Sequence, residues 1–191
     1  REENNNRLTM KKLLLILLCL PMIGFGQNLA IGDTYQGGII FYLDGSGGGL
    51  IAAPTDQSTK TSVIEWGCDG TNLTKANGKA IGKGAQNTID IEAGCTNTGT
   101  AADICANLTL GGYSDWFLPS RDELNEMYLN LHQQGLGGFA SDFDDTNETG
   151  GIYWSSTERS RSYAWVQEFR YGDQYWEIKS FDVNVRAIRA F

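Results

Sequence analysis

Histidine is almost absent from this chain, which contains a single one, His132. A Ser-His-Asp triad or a zinc site with several histidines needs partners that the sequence does not supply. The four cysteines are too few and too far apart for a four-thiolate metal site. The sequence therefore indicates no catalytic site. His132 follows a predicted helix, where it most simply complements the helix dipole or faces solvent.

The chain also lacks a hydrophobic run of the about 20 residues that a membrane-spanning helix requires. Its most apolar run extends only from Leu13 to Ile23. Two lysines precede this run and two glycines follow it, namely Lys11, Lys12, Gly24 and Gly26. A short apolar run between basic and small residues is typical of a secretory signal peptide.

Met10 is the natural start of such a signal, and the small Gly26 suits cleavage after that residue. We therefore predict an upstream extension and signal peptide over residues 1–26. Residues 27–191 then form a domain that is secreted or displayed on the bacterial cell surface, in the periplasm or outside the outer membrane. Lipidation of Cys19 is the alternative, although the residues before it lack the small side chain that lipidation favours.

Positive charge is scarce as well, since 15 lysine and arginine residues face 23 aspartate and glutamate residues. Removal of residues 1–26 leaves 11 basic against 21 acidic residues, a net charge of −10. Such a surface repels nucleic acids and other polyanions. The remaining 165 residues suit one domain of ordinary size. The composition therefore predicts a single acidic domain whose partners do not include nucleic acid.

Three cysteines remain after residue 26, in a compartment that permits disulfides. The sequence does not fix which of them pair. We favour a disulfide between Cys68 and Cys95, because it would tie together a part of the chain that is rich in loops. Cys105 would then be an inert buried thiol on an apolar helix face.

The clearest helix is predicted to begin at Ser120, whose hydroxyl can cap the first turn while Glu123 bonds back to the Ser120 backbone. An apolar stripe at helical spacing follows and consists of Leu124, Met127, Tyr128 and Leu131. Gly135 is expected to end this helix. A second, shorter helix is predicted over Ala101–Leu108.

Strands are predicted near both ends of the domain. Gly37 to Pro54 has the pattern of a β-hairpin, and residues 163–171 alternate between rings and smaller side chains. Further strands are predicted at Tyr175–Phe181 and Val185–Phe191, whereas residues 55–100 are expected to form loops and short pieces. The pattern predicts a single α+β domain, in which an antiparallel sheet from both chain ends carries two helices and long loops.

One segment concentrates hard oxygen ligands, namely Asp142, Asp144, Asp145, Asn147 and Glu148. Calcium takes about six to eight oxygen ligands. The spacing departs from an EF-hand loop, which has a glycine at its sixth position and a glutamate at its twelfth. A solvated acidic loop is the alternative interpretation. Calcium is the only cofactor that the sequence suggests.

Aromatic residues concentrate in the part of the chain that begins at Tyr153. Such rings suit sugar faces and protein surfaces alike, but rings in strands are usually buried. We therefore assign Trp154, Trp165 and Phe169 to the core. The candidate ligand-binding residues lie around the predicted hairpin and are Arg170, Tyr171, Tyr175 and Trp176.

Several motifs resemble one protein family. They are GGYSDWFLPSRDEL (Gly111–Leu124), IYWSSTE (Ile152–Glu158), AWVQEF (Ala164–Phe169) and VRAIRAF (Val185–Phe191). Their order and spacing are similar to those of the Lcl C-terminal domain family, which is named for a bacterial collagen-like adhesin. The resemblance covers essentially all of residues 27–191.

The resemblance implies a fold related to C-type lectin-like domains and to the formylglycine-generating, sulfatase-modifying enzymes. Those enzymes hold copper with two late cysteines, and no cysteine follows Cys105 here, so their chemistry has no matching residues. The resemblance therefore implies a non-catalytic recognition or adhesion module that binds a glycan or a surface protein. An enzyme derived from that fold and a structural module that forms homo-oligomers are the alternatives.

The adhesin that names the family is associated with sulfated glycosaminoglycans. A net charge of −10 disfavours such polyanions. Arg159, Arg161 and Arg170 provide only a local basic region. Arg186 and Arg189 are instead expected to pair with carboxylates and to hold the last strand.

Overall fold

The computed structural model describes residues 28–58, 64–140 and 150–191. Its strands are β1 (Thr34–Tyr35), β2 (Gly38–Leu43), β3 (Gly49–Ala52), β4 (Ile64–Glu65), β5 (Ile152–Ser160), β6 (Tyr163–Glu168), β7 (Gln174–Ile178), β8 (Asp182–Val183) and β9 (Ile188–Ala190). Its α-helices are α1 (Gly84–Gly94), α2 (Ala101–Ala106) and α3 (Arg121–Asn130), and a 3-10 turn (His132–Gln134) follows. None of these described helices is long and apolar enough to cross a membrane. The predicted signal peptide and Cys19 lie outside the described residues.

Strands from both ends of the described chain form one antiparallel sheet, in the order β1, β2, β3 and β9. Leu50 of β3 lies opposite Ala190 of β9, as the sequence predicted for a sheet that joins the two ends. Both faces of this sheet are covered, because Ile40 belongs to one hydrophobic cluster and Phe41 to another. Burial on both faces explains why this segment is a continuous apolar run.

A second antiparallel sheet joins β5, β6 and β7, and a pair joins β4 and β8. Ala164 and Val166 of β6 belong to the core. Because side chains alternate along a strand, Tyr163 and Trp165 lie on the opposite face of the sheet. The small aliphatic residues, rather than the rings, therefore face the core here. Together these elements make a single α+β domain.

Helix α3 begins as the sequence predicted. The Ser120 hydroxyl accepts a hydrogen bond from the Glu123 N–H, and Glu123 Oε2 accepts one from the Ser120 N–H at 2.7 Å. The predicted apolar stripe is buried. Gly135 ends the following 3-10 turn in the left-handed conformation, with φ of 71°. This prediction succeeds because every signal it uses is local.

Helix α1 lies in a region that the sequence predicted to consist of loops. Its buried face holds little apolar surface besides Ile91. Asn87 Nδ2 donates to the Gly78 carbonyl at 2.7 Å, and Thr88 Oγ1 accepts from the Leu118 N–H at 3.1 Å. Polar groups with distant partners thus replace the apolar stripe that periodicity detects. The described chain contains three α-helices where two were expected.

The favoured disulfide is confirmed, since Cys68 and Cys95 are bonded with their Cα atoms 5.7 Å apart. Cys95 directly follows α1, so the bond closes the region between β4 and the end of that helix. Cys105 is free and fully buried on α2. Burial raises the pKa of its thiol, which keeps the group protonated.

The two arginines near the C-terminus pair with carboxylates, as predicted. Arg186 bonds Asp56, and Arg189 bonds Asp115. Both arginine side chains are buried or nearly so. The last strand is therefore held by ion pairs to residues that lie far earlier in the chain.

Candidate functional site

A cleft of about 620 Å³ opens on the solvent side of the three-stranded sheet. Its lining residues are Asn77, Lys79, Glu158, Arg159, Trp165 and Trp176. All three strands of the sheet contribute to it, and the loop before α1 supplies the other two residues. We name this site the tryptophan cleft.

The two indole rings of the cleft contact each other. Trp165 lies directly opposite Trp176 in the pairing of β6 with β7. In that register the Glu168 N–H donates to the Asp173 carbonyl, so these two residues form a hydrogen-bonded pair. Hydrogen-bonded and non-hydrogen-bonded pairs alternate along antiparallel strands, and Trp165 lies three positions before Glu168. Trp165 and Trp176 therefore form a non-hydrogen-bonded pair. Side chains of such pairs approach closely. The ring centroids are 5.7 Å apart and the planes are inclined by 83°, which is an edge-to-face contact.

Three cations surround these rings. Lys79 Nζ lies 5.4 Å from the Trp165 ring centroid, and Arg121 Cζ lies 5.2 Å from it. Arg159 Cζ lies 5.4 Å from the Trp176 ring centroid. These distances fit cation–π attraction. Lys79 and Arg159 are both exposed, so they can reach a ligand in the cleft.

The indole nitrogen of Trp165 is buried, and its N–H has no hydrogen-bond partner. Every other buried side-chain nitrogen or oxygen among the described residues has such a partner. By contrast, Trp66 donates to the Ser155 carbonyl and Trp154 to the Ile64 carbonyl, each at 2.8 Å. A buried donor without a partner costs roughly 1–3 kcal/mol. Because this nitrogen exposes less than 1 Å² to solvent, a ligand in the cleft does not reach it as the structure stands.

The loop that carries Asn77 and Lys79 is fixed to strand β5. The Glu158 N–H donates to the Ala76 carbonyl at 2.7 Å. The Thr157 hydroxyl donates to the Gly78 carbonyl at 2.8 Å. These bonds flank Asn77 in the chain and hold the loop beside the rings. These two hydrogen bonds therefore fix one wall of the cleft.

The structure separates the four residues that were predicted to bind a ligand. Trp176 lines the tryptophan cleft and is 49% exposed. Tyr171 lies in the turn between β6 and β7, is 69% exposed, and has Arg170 Cζ 5.0 Å from its ring. Tyr175 differs from the expectation of exposure, because it is half-buried and packs against the core. Ligand binding by these residues stays a prediction.

Trp165 is the site residue that the sequence interpretation misplaced. It was assigned to the core with Trp154 and Phe169, which are both 0% exposed. Trp165 instead is half-buried beside the cleft, because its neighbours Ala164 and Val166 take the core positions. The alternation of aliphatic side chains with rings along this strand could have shown this. Side chains on a strand alternate between its two faces, so either the aliphatic residues or the rings can face the core, but not both.

His132 also differs from its prediction. Its ring stacks on Tyr128, with centroids 5.7 Å apart, and lies 5.3 Å from the Phe169 ring. Burial lowers the pKa of His132 below its usual value of 6.5. The group therefore serves aromatic packing in its neutral form rather than helix-dipole compensation as a cation.

The predicted calcium ligands lie outside the described residues. They are Asp142, Asp144, Asp145, Asn147 and Glu148. Within residues 28–58, 64–140 and 150–191, no group of three or more histidine, cysteine, aspartate or glutamate side chains is placed to hold a metal ion. Calcium binding by the acidic segment stays a prediction.

Comparison with known proteins gives a family and a weak structural likeness. A fimbrial protein from Bacteroides ovatus is similar with a TM-score of 0.44 and 15% identity, over 73% of this chain. The match covers 35% of the length of that protein. No curated protein matches the chain. The profile of the Lcl C-terminal domain matches residues 58–189, and the chain therefore belongs to the Lcl C-terminal domain family.

Proposed function

We propose that this domain is a non-catalytic adhesion module of the bacterial cell surface, and that it binds an acidic glycan in the tryptophan cleft. Membership of a family named for an adhesin supports the surface role. The observation that carries the ligand assignment is the contact between the Trp165 and Trp176 rings, beside which Lys79 and Arg159 stand. Sugars offer C–H faces to such rings, and acidic sugars offer carboxylates to such cations.

The charge within the cleft is opposite to that of the domain as a whole. The domain that begins at residue 27 carries −10 and repels a long polyanion. Lys79 and Arg159 nevertheless stand beside the rings, whereas Arg121 is partly neutralised by Asp122 at 2.7 Å. This arrangement favours one or two acidic sugar residues inside the cleft over an extended polyanion that crosses the surface.

The alternative functions receive less support. An enzyme that uses Cys105 as a nucleophile is disfavoured, because its thiol is fully buried and burial raises its pKa. A purely structural, oligomerising module could bury the exposed Trp176 ring, but it does not by itself require Lys79 and Arg159 beside the rings. Kinship with C-type lectin-like domains agrees with glycan recognition and stays a prediction.

An array of acidic and neutral oligosaccharides, probed with residues 27–191, tests this function. We expect binding to oligosaccharides that contain uronic or sialic acid. Trp176→Ala should weaken that binding by about tenfold or more, which corresponds to about 1.4 kcal/mol. Trp165→Ala removes the second ring of the pair and should weaken binding by a similar factor.

The matched control is Tyr171→Ala, which removes the most exposed ring of the same hairpin away from the cleft. This variant should bind like the wild type. Equal losses for Tyr171→Ala and Trp176→Ala would place the binding site elsewhere. If no oligosaccharide binds while native mass measurement shows a stable oligomer, the structural alternative is correct.

A further inference from the structure

Glu158 lines the tryptophan cleft together with Lys79 and Arg159, although its side chain is only 3% exposed. Glu158 is the residue that precedes Arg159 on β5, and both line the cleft. A carboxylate at this position would repel an acidic ligand and attract the nearby cations. A cleft for acidic sugars therefore requires that the charge of Glu158 be compensated.

Lys179 supplies that compensation from the buried side. Its Nζ lies 2.6 Å from Glu158 Oε1, and the two side chains are 0% and 3% exposed. Nζ also donates to the Thr71 carbonyl at 2.9 Å and lies 4.5 Å from the Trp66 ring centroid. Glu158 Oε1 accepts a further bond from the Leu73 N–H at 2.7 Å. The pair is thus enclosed and hydrogen-bonded, so solvent does not screen it.

We infer that Lys179 sets the charge selectivity of the tryptophan cleft. It neutralises Glu158, so that Lys79 and Arg159 present their charge to the ligand rather than to that carboxylate. Lys179 does not line the cleft, and it acts as a positioning residue through Glu158. The inference rests on the proposed function for its ligand, but the charge of the cleft can also be measured without one.

The ligand-free measurement is quenching of tryptophan fluorescence by iodide and by caesium ions. Trp66, Trp116 and Trp154 are buried, so the quenchable emission comes mainly from Trp176, with Trp165 beside it. A positive cleft concentrates iodide, whereas a negative one concentrates caesium. One uncompensated charge roughly 6–9 Å away in water changes the local concentration of a monovalent ion by roughly twofold to threefold.

Three variants change the charge of the pair in known steps. Lys179→Met leaves the carboxylate alone and should lower the ratio of iodide to caesium quenching by roughly fourfold to ninefold, because the two ions respond in opposite directions. Glu158→Gln leaves the ammonium alone and should raise that ratio. The double variant Glu158→Gln/Lys179→Met has neither charge, keeps an acceptor for the Leu73 N–H, and should return the ratio to the wild-type value.

Lys75→Met is the matched control, because it removes one positive charge from the same exposed loop without lining the cleft. Its ratio should stay close to that of the wild type. Circular dichroism confirms which variants fold. If Lys179→Met does not fold, the quenching ratios of the wild type, Glu158→Gln and the double variant still test the inference. A double variant that differs from the wild type as strongly as a single variant does would overturn the inference.

Binding of a hyaluronan hexasaccharide should follow the same order. Lys179→Met should bind about tenfold more weakly than the wild type, and the double variant should recover most of that loss. If the double variant binds as weakly as Lys179→Met, the pair only holds the loop and the inference is wrong. If no variant binds acidic sugars but the quenching order holds, the proposed function fails and the inference stands.

Discussion

Arg186 and Asp56 lie 130 residues apart in the chain, and Arg186 Nε donates to Asp56 Oδ1 at 2.6 Å. The Arg186 side chain is fully buried. Its Nη1 also donates to the carbonyls of Ala53 and Gly137, at 3.0 Å and 2.8 Å. One side chain thus connects the segment before β9 to the segments that follow β3 and α3.

Arg186→Met should therefore destabilise the domain strongly. It leaves the Asp56 carboxylate without its partner in a largely buried site, and loss of one member of a buried pair costs about 3–5 kcal/mol. Urea unfolding of the purified domain measures this cost. Arg161→Met removes an exposed arginine and should change the free energy of unfolding by less than about 0.5 kcal/mol. Equal stability of the two variants would refute the structural role of Arg186.

Removal of the disulfide should also lower stability. Cys68 and Cys95 are separated by 27 positions. Closing a loop of that length lowers the conformational entropy of the unfolded chain, which stabilises the folded domain by about 3.5 kcal/mol. The Cys68→Ala/Cys95→Ala variant should lose a comparable amount of unfolding free energy, measured by urea unfolding.

In the oxidised wild type, the remaining thiol of Cys105 should react with a thiol probe only after unfolding. Fast labelling of the folded protein would favour the enzyme alternative.

The Ser120 cap should contribute measurably to stability because it is buried and bonded on both sides. Its hydroxyl accepts from the Glu123 N–H and donates to the Ala80 carbonyl at 3.0 Å. Ser120→Ala should cost about 1–2 kcal/mol of unfolding free energy. Ser180→Ala, at an exposed position, is the control and should be neutral. Thermal unfolding of both variants gives the comparison, and a neutral Ser120→Ala would contradict it.

The packing of His132 predicts a dependence of stability on pH. Burial lowers its pKa from 6.5, while the Phe169 backbone and the Glu168 charge oppose the shift. A base with a lowered folded pKa contributes stability that is present above pH 6.5 and is lost as the pH falls through the folded pKa. His132→Phe keeps an aromatic ring and should lose less stability between pH 7 and pH 5 than the wild type does. Parallel losses in the two proteins would exclude the histidine as the cause.

The success of the sequence predictions depends on the range of the interactions involved. The cap of α3 was predicted because Ser120 and Glu123 are close in sequence. Helix α1 was not predicted, because Asn87 and Thr88 are stabilised by partners in other parts of the chain. Trp165 was placed on the wrong face because rings in strands are usually buried, whereas here Ala164 and Val166 fill the core.

The sequence by itself determined the α+β class, the capped helix and the family, since these rest on periodicity, local hydrogen bonds and linear motifs. It favoured the Cys68–Cys95 disulfide without fixing it, and the folded structure established that pairing. Only the tertiary structure decided the tryptophan cleft. Its residues come from three strands and a loop, and strand register alone brings Trp165 against Trp176. The pairing of Lys179 with Glu158 likewise needs the folded chain, because charges 21 positions apart interact strongly only when packing excludes water from both.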